Sequence, residues 1–279
     1  MAYPRILTVQ DISCVGQCSL TVALPIISAM GVEAAILPTA VLSTHTMFQN
    51  FTVKDLTDQV QPIADHWKQE GITFDALYTG YLGSFEQIDL MKDLFDAFKT
   101  ADNFTFVDPA MADNGKLYPA FDEAFARYMA TLCAKADIIV PNVTEACFMT
   151  GTPYCAEPDE AFVRELLLKL ADLGAGISIL TGVGFAPGKT GAMGYDRRTG
   201  EFYHYSHDKL PVSYHGTGDI FSSTCVGALT KGYDWKQAVE IASDYTAECI
   251  RLTLEDPSEP WYGVNFEQAI PYLVGRLSN

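Results

Sequence analysis

Short apolar runs rich in β-branched residues alternate along the chain with longer stretches in which apolar residues recur at helical spacing. This alternation is typical of an α/β fold in three layers, with a mostly parallel central sheet and helices on both faces. The pattern predicts strands at 5–10, 33–37, 76–79, 105–108, 138–141, 178–181, 190–195 and 201–206. It predicts helices at 19–30, 54–70, 85–101, 122–135, 144–150, 159–173, 219–231, 235–254 and 266–275.

No repeat, low-complexity tract or linker rich in serine and proline interrupts the 279 residues. Because 48% of the residues are hydrophobic, the chain is able to bury one sizeable core. A single domain over residues 1–279 is therefore predicted.

Polar or otherwise unusual residues follow several of the predicted strands. They are Asp11, Gly80 with Tyr81, Asp108, Asn142 and Thr181. One such residue indicates no more than a turn. Because ligands bind beyond the carboxyl ends of the strands in sheets of this type, the whole set predicts a crevice there.

The formal net charge of −17, from 35 acidic and 18 basic residues, gives a field that repels phosphate backbones and anionic lipids. Nucleic acid and membrane are therefore poor partners. The chain begins without the pattern of a signal peptide, and no apolar run reaches ~18 residues, which favours a cytoplasmic location. The 7 cysteines lack the spacing of a zinc site, and their odd number favours reduced thiols.

The strongest local signal is the run Gly216-Thr217-Gly218-Asp219, which opens a helix of small residues. Glycines let the backbone approach a ligand closely, and the helix directs its first N–H groups and its positive dipole end at the same place. A carboxylate beside such an anion hole can accept a proton from an alcohol while the N–H groups hold a phosphoryl group. Asp219 is therefore a candidate general base. The alternative is a plain glycine loop in which Asp219 caps the helix.

Two common phosphate-binding signatures do not fit the sequence. The run 188–190 resembles the end of a P-loop, but the first glycine of that motif would fall at Val183. The glycine pairs within 182–191 and 216–218 do not continue into the dinucleotide-binding pattern. Lys189 is instead predicted to lie in a mobile glycine-rich loop over 182–191, near the phosphates of a nucleotide.

The run 216–219, late in an α/β chain, resembles the signature of the ribokinase superfamily, in which the aspartate is the catalytic base. Other segments are similar to those of pyridoxal kinases, in the same order along the chain. These segments are Leu42–Phe48, Thr79–Ser84, Asp108–Met111 and Pro141–Glu145. The resemblance covers roughly residues 5–255.

This resemblance implies transfer of the γ-phosphate of ATP to the hydroxymethyl group of a vitamin B6 compound. Asp219 would be the base, and the backbone of Gly216, Thr217 and Gly218 would form the anion hole. Thr46, Met47 and Tyr81 would line the pyridine pocket. The resemblance also implies a homodimer, and a monovalent cation as a possible activator.

The same resemblance assigns residues to the nucleotide and to Mg²⁺. Asp108 and Glu145 would hold the metal, with Asn142 beside them. The expected contacts with ATP are Asp108, Asn142, Glu145, Thr181, Lys189, Thr217 and Gly218, and the stretch 205–212 would pass near the adenine. The alternatives are that Asn142 and Glu145 cap a helix, that Asp108 is a turn residue and that Tyr81 is a core aromatic.

Two positions depart from the pattern of the pyridoxal kinases. Asp11 follows Gln10 where those enzymes have a serine, and a carboxylate there would favour a protonated pyridinium, an amine or an aminopyrimidine. Asp11 as a plain turn residue is the alternative. Thr181 stands where bacterial relatives often have lysine, so Lys189 compensates or phosphate binding is weaker. A hydroxymethylpyrimidine kinase, a sugar kinase and a non-catalytic B6-binding protein are the other functions that fit the sequence.

Overall fold

The computed structural model describes residues 3–258 and 261–277. Its strands are β1 (Arg5–Ser13), β2 (Glu33–Leu42), β3 (Val53–Asp55), β4 (Ala76–Thr79), β5 (Phe104–Val107), β6 (Ala112–Asp113), β7 (Lys116–Leu117), β8 (Ile138–Ile139), β9 (Ile177–Thr181), β10 (Lys189–Asp196) and β11 (Glu201–Asp208). Its helices are α1 (Leu20–Ala29), α2 (Thr57–Gln69), α3 (Phe85–Phe98), α4 (Glu123–Cys133), α5 (Val143–Thr150), α6 (Glu160–Leu173), α7 (Thr217–Thr230), α8 (Trp235–Leu254) and α9 (Phe266–Leu277).

The main sheet has nine strands in the order β11-β10-β9-β8-β5-β4-β1-β2-β3, and β6 pairs with β7 separately. The pairs β1–β2, β5–β8 and β8–β9 are parallel, whereas β3, β10 and β11 pair antiparallel to their neighbours. The predicted α/β class, with a mostly parallel sheet and helices on both faces, is confirmed. Within the described part of the chain, every helix is too short or too polar to cross a bilayer.

The chain divides into two compact units. The first unit comprises Met1–Tyr78 and Leu210–Asn279, and the second comprises Thr79–Lys209. The single domain therefore stays a prediction.

The first strand is longer than the sequence predicts. Instead of ending at Gln10, β1 continues to Ser13, because its pairing with β2 shifts register and resumes with Ile12 opposite Val41. Asp11 therefore lies within a strand, and the alternative that it is a plain turn residue is wrong.

The predicted helix start at residue 54 is also wrong. Lys54 belongs to β3, where it lies opposite Val41 of β2. The sheet thus satisfies the backbone groups of this segment, and α2 begins only at Thr57, whose N–H donates to Oδ1 of Asp55 at 2.8 Å.

In the first unit, α1 and α7 approach each other closely. The middle of α7 is buried from Ser222 to Ala228. A Cβ atom on Gly227 would lie 2.5 Å from the sulfur of Met30, so only glycine permits this contact without a shift. The small residues that follow the glycine motif therefore let α7 pack firmly and hold its N-terminus in place.

Candidate active site

The helix α7 begins with Gly216 as its N-cap, in the left-handed conformation with φ of +83°. A Cβ atom at this position would lie 1.9 Å from the carbonyl oxygen of Gln17, so no other residue fits. Glycine has no side chain with which to cap the helix. No side chain therefore caps the first turn of α7, and the binding of an anion by its N–H groups stays a prediction.

Asp219 is the third residue of α7 and is half-buried. The helix begins at Thr217, two residues earlier than predicted, so the N-cap is Gly216 and the alternative of Asp219 as the cap is wrong. The hydroxyl of Thr217 donates to the carbonyl of Tyr214 at 3.2 Å, and Gly218 is exposed. The carboxylate of Asp219 thus lies within the first turn, next to the positive end of the helix dipole.

Asp11 is 6% exposed, and hydroxyl groups bind both of its carboxylate oxygens. Ser19 donates to Oδ1 at 2.6 Å, and Ser13 donates to Oδ2 at 3.1 Å. Burial raises the pKa of Asp11 above its ordinary value, while the two hydroxyl groups act in the opposite direction. The carboxylate is therefore fixed in position in a poorly solvated place.

The thiol of Cys18 lies close to both Asp11 and the candidate base Asp219. Burial raises the pKa of Cys18 to about 12, and the carboxylates of Asp219 and Asp11 both add to this rise. One half-buried thiol therefore lies within electrostatic reach of both acids. Asp11 and Asp219, predicted from separate motifs, lie in one neighbourhood of the first unit.

The loop between β2 and β3 carries Thr46 and Met47, which are both exposed. The N–H of Met47 donates to Nδ1 of the neighbouring His45 at 3.2 Å. Their predicted contact with the pyridine ring stays a prediction.

In the second unit, Tyr81 is half-buried and its ring lies 5.5 Å from that of Phe121, centroid to centroid. The following turn is fixed by Gln87, whose Oε1 accepts the N–H of Gly83 at 2.7 Å, and by Ser84, which caps α3. Tyr81 thus belongs to an aromatic cluster with defined packing. Its role in stacking on a substrate stays a prediction.

Asp108 and Glu145 are both buried in the second unit, at 7% and 3% exposure. Burial, together with the nearby carboxylate of Asp108, raises the pKa of Glu145 well above its ordinary value. The backbone N–H groups of Met111 and Asn142 donate to the two oxygens of Glu145 at 3.1 and 2.8 Å. Two carboxylates are thus held close together away from water, which is unfavourable without a cation.

Asn142 is the N-cap of α5 and forms a capping box with Glu145. Its Oδ1 accepts the N–H of Glu145 at 2.9 Å, and its Nδ2 donates to the carbonyl of Ala112 at 2.7 Å. The capping alternative is therefore confirmed for both residues. An isolated bridge pairs Asn142 with Thr181 at the end of β9, which brings these two predicted ATP contacts together.

Lys189 is not in a glycine loop, as the sequence predicted, but is the first residue of β10. Gly184 turns back so tightly that a Cβ atom there would lie 2.2 Å from the carbonyl oxygen of Lys189, and Val183 pairs with Gly191. The predicted loop over 182–191 is thus shortened by strand pairing. The ammonium group of Lys189 forms an ion pair with Asp208 at 2.7 Å, and its contact with ATP stays a prediction.

The donor set of the second unit fits Mg²⁺ in part. Among the residues that the structure describes, no group of three or more His, Cys, Asp and Glu side chains could hold a metal ion. Mg²⁺ typically binds one or two carboxylates together with phosphate oxygens and water. Asp108 and Glu145 provide such a pair of carboxylates, and a cation would relieve their repulsion.

Sequence reasoning missed Ser13, Ser19 and His45. Serines are common everywhere, and only the fold shows that two of them bind the carboxylate of Asp11. His45 is bound through the carbonyl of Tyr262, which is 217 residues away in the sequence. The motif that contains His45 could have drawn attention to it, but the partner could not be found by spacing.

The chain matches the model of the phosphomethylpyrimidine kinase family over residues 23–260. A hydroxymethylpyrimidine/phosphomethylpyrimidine kinase of Bacillus subtilis is 28% identical over 221 residues, which are 77% of this chain and 78% of that protein. A candidate phosphomethylpyrimidine kinase of Bacteroides thetaiotaomicron, in a crystal form with pyridoxal, has a TM-score of 0.92 and 37% identity and covers 97% of this chain and 96% of its own. The pyridoxal kinase of Lactobacillus plantarum has a TM-score of 0.89 and 29% identity, with 98% of this chain and 97% of its own covered.

These matches confirm the expected ribokinase-like fold and the resemblance to pyridoxal kinases. The family model extends over most of both units, including the run from Gly216 to Asp219 and the pair of buried carboxylates. The chain therefore belongs to the phosphomethylpyrimidine kinase family.

Proposed function

We propose that this kinase transfers the γ-phosphate of ATP to the hydroxymethyl group of a vitamin B6 compound. The observation that carries the proposal is the first turn of α7, where the N-cap Gly216 makes no side-chain cap and Asp219 lies in the same turn. Support for a B6 substrate comes from the pyridoxal kinase of Lactobacillus plantarum and from the Bacteroides thetaiotaomicron structure with pyridoxal.

In the proposed reaction, the carboxylate of Asp219 accepts the proton of the substrate hydroxyl group as its oxygen attacks the γ-phosphorus in line. The N–H groups that follow Gly216 donate to the oxygens of the transferring phosphoryl group and stabilise their charge. Asp108 and Glu145 would hold Mg²⁺, which supplies charge neutralisation at the phosphates of ATP. Thr46 and Met47 orient the pyridine ring.

Asp11 sets the preference among substrates. Its carboxylate is held by Ser13 and Ser19 and favours a partner that can donate to it, such as a pyridinium N–H or an amine. An aminopyrimidine offers the same kind of donor. Hydroxymethylpyrimidine is therefore the second candidate substrate, and the Bacillus subtilis relative supports it.

Substrate preference is tested by kcat/KM for pyridoxal, pyridoxine, pyridoxamine and hydroxymethylpyrimidine, with the wild type and Asp11→Ser. We expect a B6 compound to give the highest value, and Asp11→Ser to lower the preference for amine-bearing substrates. A much higher value for hydroxymethylpyrimidine would overturn the B6 assignment and establish the second candidate.

The base is tested by Asp219→Asn, which keeps the shape of the side chain. We expect kcat to fall by ~10²–10⁴-fold while ATP binding is nearly unchanged, as for the loss of a general base. Turnover within a few-fold of the wild type would show that another group accepts the proton. The lack of any ATP-dependent phosphorylated product in the wild type would instead favour a non-catalytic B6-binding protein.

A further inference from the structure

His45 lies in the connection between β2 and β3, is 6% exposed and has a partner at each ring nitrogen. Its Nδ1 accepts the N–H of Met47 at 3.2 Å, which requires Nδ1 to be unprotonated. Its Nε2 lies 2.8 Å from the carbonyl oxygen of Tyr262, which can only accept. The two partners together select the tautomer with the proton on Nε2. The ring thus joins the loop after β2 to a segment near the end of the chain.

The same imidazole ring holds the loop that follows β1. A Cβ atom on Gly16 would lie 2.6 Å from Cδ2 of His45, and the φ of +148° at Gly16 also favours glycine. The backbone N–H of His45 donates to the carbonyl of Val15 at 3.2 Å. This loop carries Cys18, whose thiol lies within electrostatic reach of Asp11. His45 therefore packs against the segment next to Asp11, whose carboxylate is proposed to bind the substrate.

His45 also lies near His215, the first residue of the proposed catalytic loop (His215–Asp219). The ring of His215 stacks on it at a centroid distance of 6.1 Å and an interplanar angle of 19°. His215 immediately precedes Gly216, the N-cap of α7. The rings of Trp261 and His45 have a T-shaped arrangement, with 6.4 Å between their centroids. One buried side chain thus lies against three other stretches of the first unit: the loop after β1, the residues before Gly216, and residues 261–262.

A buried histidine is usually no more than a hydrogen-bonded member of the core. The surroundings of His45 differ from a core, because apolar side chains around it are exposed: Val15 by 52%, Met47 by 48% and Trp261 by 58%. Its partners are loop residues rather than the buried faces of helices and strands. A loop with exposed apolar side chains next to a proposed anion hole is typical of a surface that a ligand covers.

We propose that His45 is a positioning residue for the alcohol substrate, an inference that rests on the proposed kinase function. Its ring fixes the loop of Thr46 and Met47 relative to the catalytic loop that begins at His215. Without the ring, the binding energy of the alcohol would have to order this loop, which weakens binding. ATP is assigned to other residues, so its binding should change little.

Three substitutions separate the contacts of the ring. In His45→Asn, an amide oxygen near the position of Nδ1 keeps an acceptor for Met47 but loses the bond to Tyr262. In His45→Gln, an amide nitrogen near the position of Nε2 keeps the donor to Tyr262. His45→Ala removes both bonds. His66→Ala is the matched control, because His66 is an exposed histidine of α2 in the same unit.

The first readout is steady-state kinetics with the best alcohol substrate. We expect His45→Ala to raise the KM of the alcohol by about tenfold or more, from loss of the buried hydrogen bonds, with the KM of ATP within about twofold. His45→Gln should recover a larger part of the wild-type KM than His45→Asn, because it retains the bond between distant segments. His66→Ala should leave both KM values unchanged.

The second readout is quenching of Trp261 fluorescence by acrylamide, which does not depend on catalysis. The signal of Trp261 is obtained by subtracting Trp261→Phe, measured in the wild-type and in each variant background. We expect His45→Ala to raise the quenching of Trp261 and His45→Gln to restore it in part. Saturation with the alcohol substrate should lower the quenching in the wild type.

The proposal is overturned if His45→Ala leaves the KM of the alcohol within twofold of the wild type. It is also overturned if the two KM values rise together, in step with a lower melting temperature, since that indicates a purely structural role. A wild type without kinase activity would remove the proposed function, whereas the quenching of Trp261 would still show whether His45 holds the segment. The two failures are therefore distinguishable.

Discussion

The hydroxyl group of Ser19 donates to Oδ1 of Asp11 at 2.6 Å, although Ser19 occupies the N-cap of α1. A serine at this position would usually cap the helix, but here its side chain makes no capping bond. Its backbone has φ of +52° and ψ of −136°, which is unfavourable for any residue with a Cβ atom. Ser19 thus binds the carboxylate of Asp11 instead of capping α1, and its backbone is strained in that position.

We expect Ser19→Gly and Ser19→Ala to differ in stability although both lose the hydroxyl group. Glycine relaxes the backbone and alanine does not, so Ser19→Gly should have the higher free energy of unfolding by about 1 kcal/mol. Urea unfolding at neutral pH measures the difference. Equal stabilities would mean that the backbone of Ser19 is not strained.

The same pair of variants tests the function of the hydroxyl group. Both should raise the KM of the alcohol by a similar factor, because neither donates to Asp11. If only Ser19→Ala changed the KM, the backbone of the loop and not the hydroxyl group would matter for binding.

Asp11→Asn tests whether the buried carboxylate costs stability. The pKa of Asp11 is raised in the folded protein, mainly by burial. The folded state therefore keeps the proton to higher pH than the unfolded state, and stability falls as the pH rises through the folded pKa. This loss is absent below the ordinary pKa of ~3.9. Relative to the wild type, Asp11→Asn should gain stability as the pH is raised.

Urea unfolding of the wild type and Asp11→Asn over a range of pH checks this sign. The KM of the alcohol should meanwhile rise in the variant, since an amide is a weaker acceptor than a carboxylate. A difference in stability that is the same at every pH would show that the bonds from Ser13 and Ser19 balance the effect of burial. A variant that loses stability relative to the wild type as the pH rises would show that these bonds outweigh it.

The two glycines at the start of α7 allow an effect on folding to be separated from an effect on turnover. A Cβ atom on Gly218 meets no atom within 4 Å, whereas one on Gly216 would collide with the carbonyl of Gln17. Gly218→Ala should therefore keep or slightly raise the melting temperature, by the higher helix propensity of alanine. Its methyl group would lie at the exposed start of α7, so we expect kcat to fall by about tenfold or more from displacement of the phosphoryl group.

Gly216→Ala is the counterpart and should lower the melting temperature as well as kcat. Thermal unfolding and steady-state kinetics of the two variants separate the effects. An unchanged kcat in Gly218→Ala would count against the start of α7 as the phosphoryl-binding site.

The sequence was sufficient to predict features that depend on residues close together in the chain. The run from Gly216 to Asp219 predicted a helix start with glycine backbone, and the capping box of Asn142 with Glu145 follows from residues three apart. The error at Lys54 has a tertiary cause, because pairing with β2 outweighs a local helical pattern. Local pattern therefore predicts the type of element better than its limits.

The side chains around the site were predictable only where a motif contains them. Asp11 stood out as a departure from a family pattern, but its partner Ser19 is identified only by the unusual backbone that the fold imposes. The bond between His45 and Tyr262 joins residues far apart in the sequence, and no periodicity describes such a pair. Long-range contacts of loops are thus the part of the site that needs coordinates.

The buried carboxylates of Asp108 and Glu145 should make nucleotide binding depend on Mg²⁺. Because the two acids raise the free energy of each other's charged form, a bound cation stabilises the folded protein. We expect Mg²⁺ with ADP to raise the melting temperature of the wild type more than ADP alone. In Asp108→Asn the added effect of Mg²⁺ should shrink, by about 1.4 kcal/mol for a tenfold weaker complex.

Two further variants show whether this effect belongs to the metal. Glu145→Gln offers an N–H₂ group to one of the backbone N–H donors of Met111 and Asn142, so its melting temperature should fall even without ligand. Asp102→Asn changes an exposed carboxylate of the same unit and should behave as the wild type. Thermal unfolding with and without Mg²⁺, at constant ADP and ionic strength, measures all three. An equal response to Mg²⁺ in Asp108→Asn and Asp102→Asn would show that the buried acids do not bind the metal.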